Sequence, residues 1–371
     1  MTNRASEALR TAVTMTAVMT LAGAVEAGQR RDVPAETTAA AARTPGWTPP
    51  KTSWGHPDLQ GVWTSDDMRS VPTQRPDSFA GRSSLTPEEF TRRASGDTGA
   101  RDRAVNQETV LRNEWGVRTF GYTSLVVEPA DGRIPPMTPE GLSRRANRDA
   151  GTFGPGPFND FEDFTLYDRC ITRGIIGSIL PVLYGNGLRI VQTPQSVVIS
   201  YEMIHDTRII PLDGRPHIGS GLRQYLGDSR GHWDGNTLVV ETTNLTNLTS
   251  IGANGNGTRH SDTMRLTERF TRIDPQMIDY QITVDDPVTY TRPFTLRLTI
   301  TSQPDYVLYE YSCHEGNGAV KYALSADRAF DKAVDEARAK GLEPPRRDTG
   351  NPYGPPVPGV RAPVVINSES Q

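Results

Sequence analysis

Residues 264–285 read MRLTERFTRIDPQMIDYQITVD, two runs of alternating apolar and polar residues on either side of Asp274-Pro275. In the first run Met264, Leu266 and Phe270 fall on one side, with Glu268 among them. A period of two is the signature of a strand, because successive side chains point to opposite faces of a sheet. The pattern recurs at residues 197–208 (VVISYEMIHDTR), 237–243 (TLVVETT), 289–301 and 306–313, and each run ends in or near Gly, Pro, Asn or Asp. Consecutive strands joined by short turns form an antiparallel meander, and rolling the meander into a closed or nearly closed barrel removes its exposed edges. The expected fold is therefore mainly β, with a few peripheral helices.

Outside the strands the helical signals are few. Thr86-Pro87-Glu88-Glu89 carries a cap, a proline in the first turn and a glutamate three residues after the cap, which starts a helix. A second helix is expected around residues 106–115, making a helical insertion near 84–115. Residues 129–157, rich in Pro, Gly and Arg, read as an irregular surface loop. Residues 325–340 form an amphipathic C-terminal helix, with Ala326, Ala329, Phe330, Ala333, Val334 and Ala337 on one side and Gly341 as its stop.

The flanks differ in kind. Residues 1–27 combine Arg4 and Arg10, an apolar run over 12–24 and the small-residue exit Val25-Glu26-Ala27, the order of a cleavable signal peptide. That run is far shorter than the roughly 20 residues a membrane-spanning helix needs. Residues 28–50 read as a disordered linker, 51–341 as one β-rich domain and 342–371 as a disordered Pro-rich tail. The expected location is periplasmic or secreted, without an integral membrane segment after cleavage. A net charge of -4 leaves no basic footprint, so nucleic acid is not an expected partner. Of the chain's 2 cysteines, Cys170 and Cys313, each adjoins a strand-like stretch, and in an oxidising compartment they are expected to pair. Closing so long a loop contributes about 5 kcal/mol on the chain-entropy model.

The strings YDRCITRG, LYGNGLRIVQTP, YEMIHDTRIIPLDGRPH, GDSRGHWDGNTLVVETTN, LTERFTRID and YSCHEGN, spread over residues 54–329, resemble a family of uncharacterised exported bacterial proteins. That resemblance carries no activity. DLQGVW followed by a meander and a C-terminal helix is similar to the calycin or lipocalin-like plan, which implies a lipocalin-like barrel.

Strand faces nominate a site. Glu268 shares the inward side of its strand, Arg292 shares a face with Tyr290, Phe294, Leu296 and Leu298, and His205 one with Val197, Ile199, Tyr201 and Met203. A charge on a buried face is costly unless paired, so Glu268 is matched with Arg292. Two readings follow. One is a structural ion pair with a core histidine. The other is a pocket in which His205 or Glu268 exchanges protons and Arg292 holds a ligand oxygen, with Tyr201, Arg208, His217, His232, Tyr290 and His314 as further ligand contacts. Residues 205–217 and 227–236 are expected as polar loops at a barrel end, where ligand contacts collect, although turn chemistry alone also accounts for their Asp-Gly and Gly-Asn pairs.

Gly227-Asp228-Ser229-Arg230-Gly231 is similar to the nucleophile segment of trypsin-like serine proteases, but Arg230 replaces the first of the paired glycines and no base-bearing segment lies upstream. No histidine falls in a metal-binding spacing; a site from His205, His217 and His232 would have to assemble in the tertiary structure. No cofactor is expected. The sequence thus points to an exported barrel binding a small organic ligand, and to a lyase, isomerase or hydrolase if its pocket does acid/base chemistry. The competing reading is a non-enzymatic envelope protein that binds a protein or glycan through exposed Trp47, Trp54 and Trp233.

Overall fold

A computed structural model describes residues 44–106, 116–148 and 158–346. The expected signal peptide, most of the linker, the helix after Asn106 and the tail from residue 347 lie outside the described residues. In chain order the strands are β1 (Gly61–Thr64), β2 (Val126–Glu128), β3 (Gly187–Gln192), β4 (Ser196–Tyr201), β5 (Thr207–Pro211), β6 (Asp228–Asp234), β7 (Thr237–Thr243), β8 (Ser250–Ile251), β9 (Thr258–Arg259), β10 (Arg265–Asp274), β11 (Met277–Asp285) and β12 (Phe294–Ser302). The helices are α1 (Pro87–Asn106), α2 (Pro139–Arg148), α3 (Gly174–Ile179) and α4 (Ala319–Ala339).

The quoted hairpin forms in the expected phase. Leu266 pairs with Val284, Glu268 with Ile282 and Phe270 with Tyr280, and all six are buried. The outward residues carry the polar pairs: Arg297 Nε donates to Asp279 Oδ1 at 2.6 Å and Arg269 reaches Asp234 at 2.9 Å. From this hairpin the sheet extends in the order β5-β4-β3-β1-β12-β11-β10-β7-β6, every neighbour antiparallel, with β2 added to β12. The two ends of this order, β5 and β6, lie side by side, so the sheet curls into a nearly closed barrel whose seam runs between them. Two meanders make it up, β3-β4-β5 and β6-β7-β10-β11-β12, and the four-residue β1 splices them, with Trp63 opposite Leu188 on one side and Ser302 on the other.

Several expectations need correction. Residues 197–208 are not one strand. β4 stops at Tyr201, and Ile204 and His205 take positive φ (65° and 49°) in a tight turn. No glycine or proline announces it. The turn is held by tertiary bonds instead: Glu202 N donates to Gly187 O at 2.9 Å and Tyr306 Oη to Glu202 Oε1 at 2.7 Å. Residues 306–313 form no strand but a strap across this region, because their tyrosines bond to Glu202 rather than to a neighbouring strand. β12 begins only at Phe294, since Asp286 gathers Ser261, Thr289 and the backbone of Tyr290 into a turn. Residues 228–234, expected as loop, are a strand. The stretch 129–157, expected as loop, contains α2, which Thr138 caps by accepting from Gly141 N at 3.0 Å.

The expected helix start at Thr86 is present as a capping box, Thr86 N donating to Glu89 Oε2 (2.8 Å) and Glu89 N to Thr86 Oγ1 (3.3 Å). The C-terminal helix begins earlier than expected, at Ala319. The Cys170–Cys313 disulfide is formed and fastens the strap to the segment before α3. None of the described helices is long and apolar enough to cross a membrane.

Candidate functional site at the barrel seam

Closure of the seam is uneven, and small details of β6 explain why. At Gly231 the two strands press together: a Cβ there would lie 2.9 Å from both Ile210 Cγ2 and Leu212 Cδ2. Two residues earlier, at Ser229, a polar side chain faces inward and the strands part. The resulting cleft, of about 750 Å³, is lined by Asp206, Thr207, Arg208 and Ile209 from β5 and its turn, by Asp228 and Ser229 from β6, by residues 223–227, by Thr246 and Leu248, and by Ile171 and Thr172.

Its floor is an ion pair. Arg208 reaches across the barrel and donates through Nη1 to Glu268 Oε1 (3.0 Å) and through Nη2 to Oε2 (2.6 Å), both side chains being buried. Tyr280 Oη donates to Glu268 Oε1 at 3.0 Å, Arg208 also donates to Tyr201 Oη (3.3 Å) and Ser229 Oγ (3.2 Å), and Ser229 is joined to Thr242 at 2.8 Å. Burial works against the charge of Arg208, but Glu268 and Tyr201 outweigh it and hold the guanidinium above its ordinary pKa. Burial, reinforced by Glu268, pushes Tyr280 and Tyr201 up, so both stay neutral. A bidentate pair with its remaining lone pairs engaged is a fixed scaffold rather than a mobile base.

The cleft walls carry the less constrained groups. Asp206 accepts from Thr172 Oγ1 at 2.5 Å, and burial raises its carboxyl above the usual range despite this donor and the backbone N–H of Arg173. Asp228 accepts from Ile218 N (3.0 Å), contacts His217 Nδ1 (2.9 Å) and pairs with Arg230 (3.0 Å). Asp206 is thus the cleft carboxylate that its surroundings hold closest to its protonated form.

Of the residues nominated from sequence, Tyr201, Arg208 and Glu268 come together on the floor, and His217 stands at the rim through Asp228. The expected Glu268–Arg292 pair does not form. Arg292 lies in the turn before β12, exposed and 3.8 Å from Asp131, so strand-face reasoning never applied to it. Likewise His205 sits in the exposed turn after β4 instead of on the inner face. His232 and His314 are exposed, while Tyr290 is buried edge-on to Phe294 at 5.2 Å, outside the cleft. His205, His217 and His232 do not converge, and among the described residues no group of three or more His, Cys, Asp or Glu could hold a metal ion. Ser229 has its hydroxyl taken by Arg208 and Thr242 and is paired within β6, not at a nucleophile turn. Trp47, Trp54 and Trp233 are half-buried rather than exposed, Trp233 resting against His56 at 5.3 Å.

Sequence reasoning missed Gln224, Tyr225, Leu226, Thr246 and Leu248, whose loops have no periodicity to read. Asp206 and Asp228 lay inside segments singled out for their polarity, but nothing in the sequence distinguished them from their neighbours. Comparison with protein-family models, with curated proteins and with solved structures finds no match to this chain.

Proposed function

We propose that this is an exported protein that binds a small organic ligand in the seam cleft. The observation that carries the reading is the cleft itself, a concavity of about 750 Å³ in a barrel that packs tightly two residues away, within the range of small-molecule sites. Its lining supports an amphipathic ligand. Ile171, Leu226 and Leu248 offer apolar contact, while Asp206, Asp228, Gln224 and Ser229 offer hydrogen bonds. The rigid floor keeps these groups in place without taking part in chemistry, and Asp206 is the acid/base group if the bound ligand is turned over. The disulfide supports a periplasmic or secreted setting.

A thermal-shift screen of small organic compounds tests the reading, with Leu248→Trp to fill the cleft and Asp206→Asn to remove its charge. Compounds that stabilise the parent protein should lose about tenfold or more in affinity for at least one variant, the scale of one good polar contact. Ligands that bind both variants as well as the parent would place binding elsewhere and refute the proposal.

A further inference from the structure

We infer that Arg173 is the centre of a second binding site, one for a small oxyanion (carboxylate, sulfate or phosphate), roofed by Tyr167, Tyr184 and Tyr311. Arg173 is among the largest fully buried side chains of the barrel, 1% exposed. Its guanidinium makes a single bond, Nη1 to Gly185 O at 3.3 Å, and its Nε and Nη2 have no partner among the described residues. The nearby carboxylate, Asp206, takes the backbone N–H of Arg173 rather than the guanidinium. A buried cation with unsatisfied donors is costly, and a bidentate oxyanion is the group that satisfies a planar guanidinium edge.

The surroundings fit that ligand. The residues closest in charge interaction to Arg173 are the tyrosines Tyr167, Tyr311, Tyr184 and Tyr201, with no carboxylate among them. Tyr167 and Tyr311 both hydrogen-bond to Tyr184, and Tyr184 stacks on Tyr311 with ring centroids 6.3 Å apart. These three tyrosines are only half-buried, so they form a door between solvent and the guanidinium. The Cys170–Cys313 disulfide fixes Tyr167 and Tyr311, which lie just before the two cysteines. Burial lowers the pKa of Arg173 to about 10, a shift that a bound anion would reverse. This site is distinct from the seam cleft, whose lining includes Thr172 but not Arg173, although Asp206 and Tyr201 adjoin both.

Sodium acetate, sulfate and phosphate, each compared with sodium chloride at equal ionic strength, provide the test on the oxidised protein. The proposal expects saturable stabilisation by at least one oxyanion over chloride. Affinity should fall about ten- to hundredfold in Arg173→Met and more modestly in Tyr184→Phe, as removal of a charged and a neutral hydrogen bond respectively would give. Because Arg173→Met also changes the packing of a buried side chain, crystals of the unaltered protein in selenate give an independent readout: an anomalous peak beside Arg173 supports the site. Stabilisation equal to that of chloride, equal stabilisation in Arg173→Met, or selenate bound only elsewhere overturns it.

Discussion

Glu268 has both carboxylate oxygens engaged by Arg208 and Tyr280 in a site without solvent. Removing one partner strands a buried charge, whereas removing both removes the desolvation cost as well. Glu268→Gln or Arg208→Met should therefore lower stability by about 3–5 kcal/mol in urea titrations, and the Arg208→Met/Glu268→Leu double variant should recover much of that loss. Asp67 gives a second prediction at this scale. Its carboxyl accepts from Arg118 N at 2.7 Å, yet burial drives its pKa up to about 6. A carboxyl whose folded-state pKa lies above its unfolded value favours folding while protonated, and that contribution is lost as pH rises from about 4 through about 6. Asp67→Asn keeps the acceptor and deletes the titration. It should be more stable than the parent by roughly 1–3 kcal/mol at pH 7, with the difference vanishing near pH 4 in melts across that range. Glu268 as an inward charge was legible from its alternation alone. Its partner was not, because alternation through residues 197–208 puts Arg208 on the face opposite Tyr201, and only the turn at 203–205 shifts the phase and brings it inward.

Among the elements, β6 decides the shape of the site. Its Gly231 has no special φ requirement; its role is close approach to Ile210 and Leu212. Gly231→Val should lever β5 from β6, lowering stability by about 1–3 kcal/mol and speeding amide exchange in β5, while a variant of unchanged stability would show that the seam is looser than described. β6 escaped sequence reading because DSRGHWD has Gly, Asp and Ser where a strand usually shows branched residues, and its partner β7 supplies the order. The same physics hid the turn within residues 197–208, where a β-branched residue, Ile204, adopts a left-handed conformation for the sake of tertiary bonds. Where local pattern and long-range pairing agree, as in β7, β10 and β11, strand bounds were readable to within a residue.

For the whole molecule, the barrel and its disulfide followed from alternation and cysteine count, but the place where the barrel stays open did not. An opening depends on which two strands end the order, and that order is set by β1 inserting between distant partners. The disulfide joins cysteines 143 positions apart, so it limits the unfolded chain substantially. The Cys170→Ser/Cys313→Ser variant should lose about 2–5 kcal/mol in denaturant titration, with an unchanged midpoint showing that the strap is held by its tyrosines alone.

The splice made by β1 also constrains the order of folding. Each meander can form from neighbouring hairpins, but β1, the earliest strand in the chain, must wait for β12, the last, before its second edge is paired. Such long-range pairing slows folding. The expected order is that two half-barrels assemble first and the docking of Trp63 between Leu188 and Ser302 makes them one body, so Trp63→Phe should slow the last refolding phase and leave the early ones unchanged in stopped-flow.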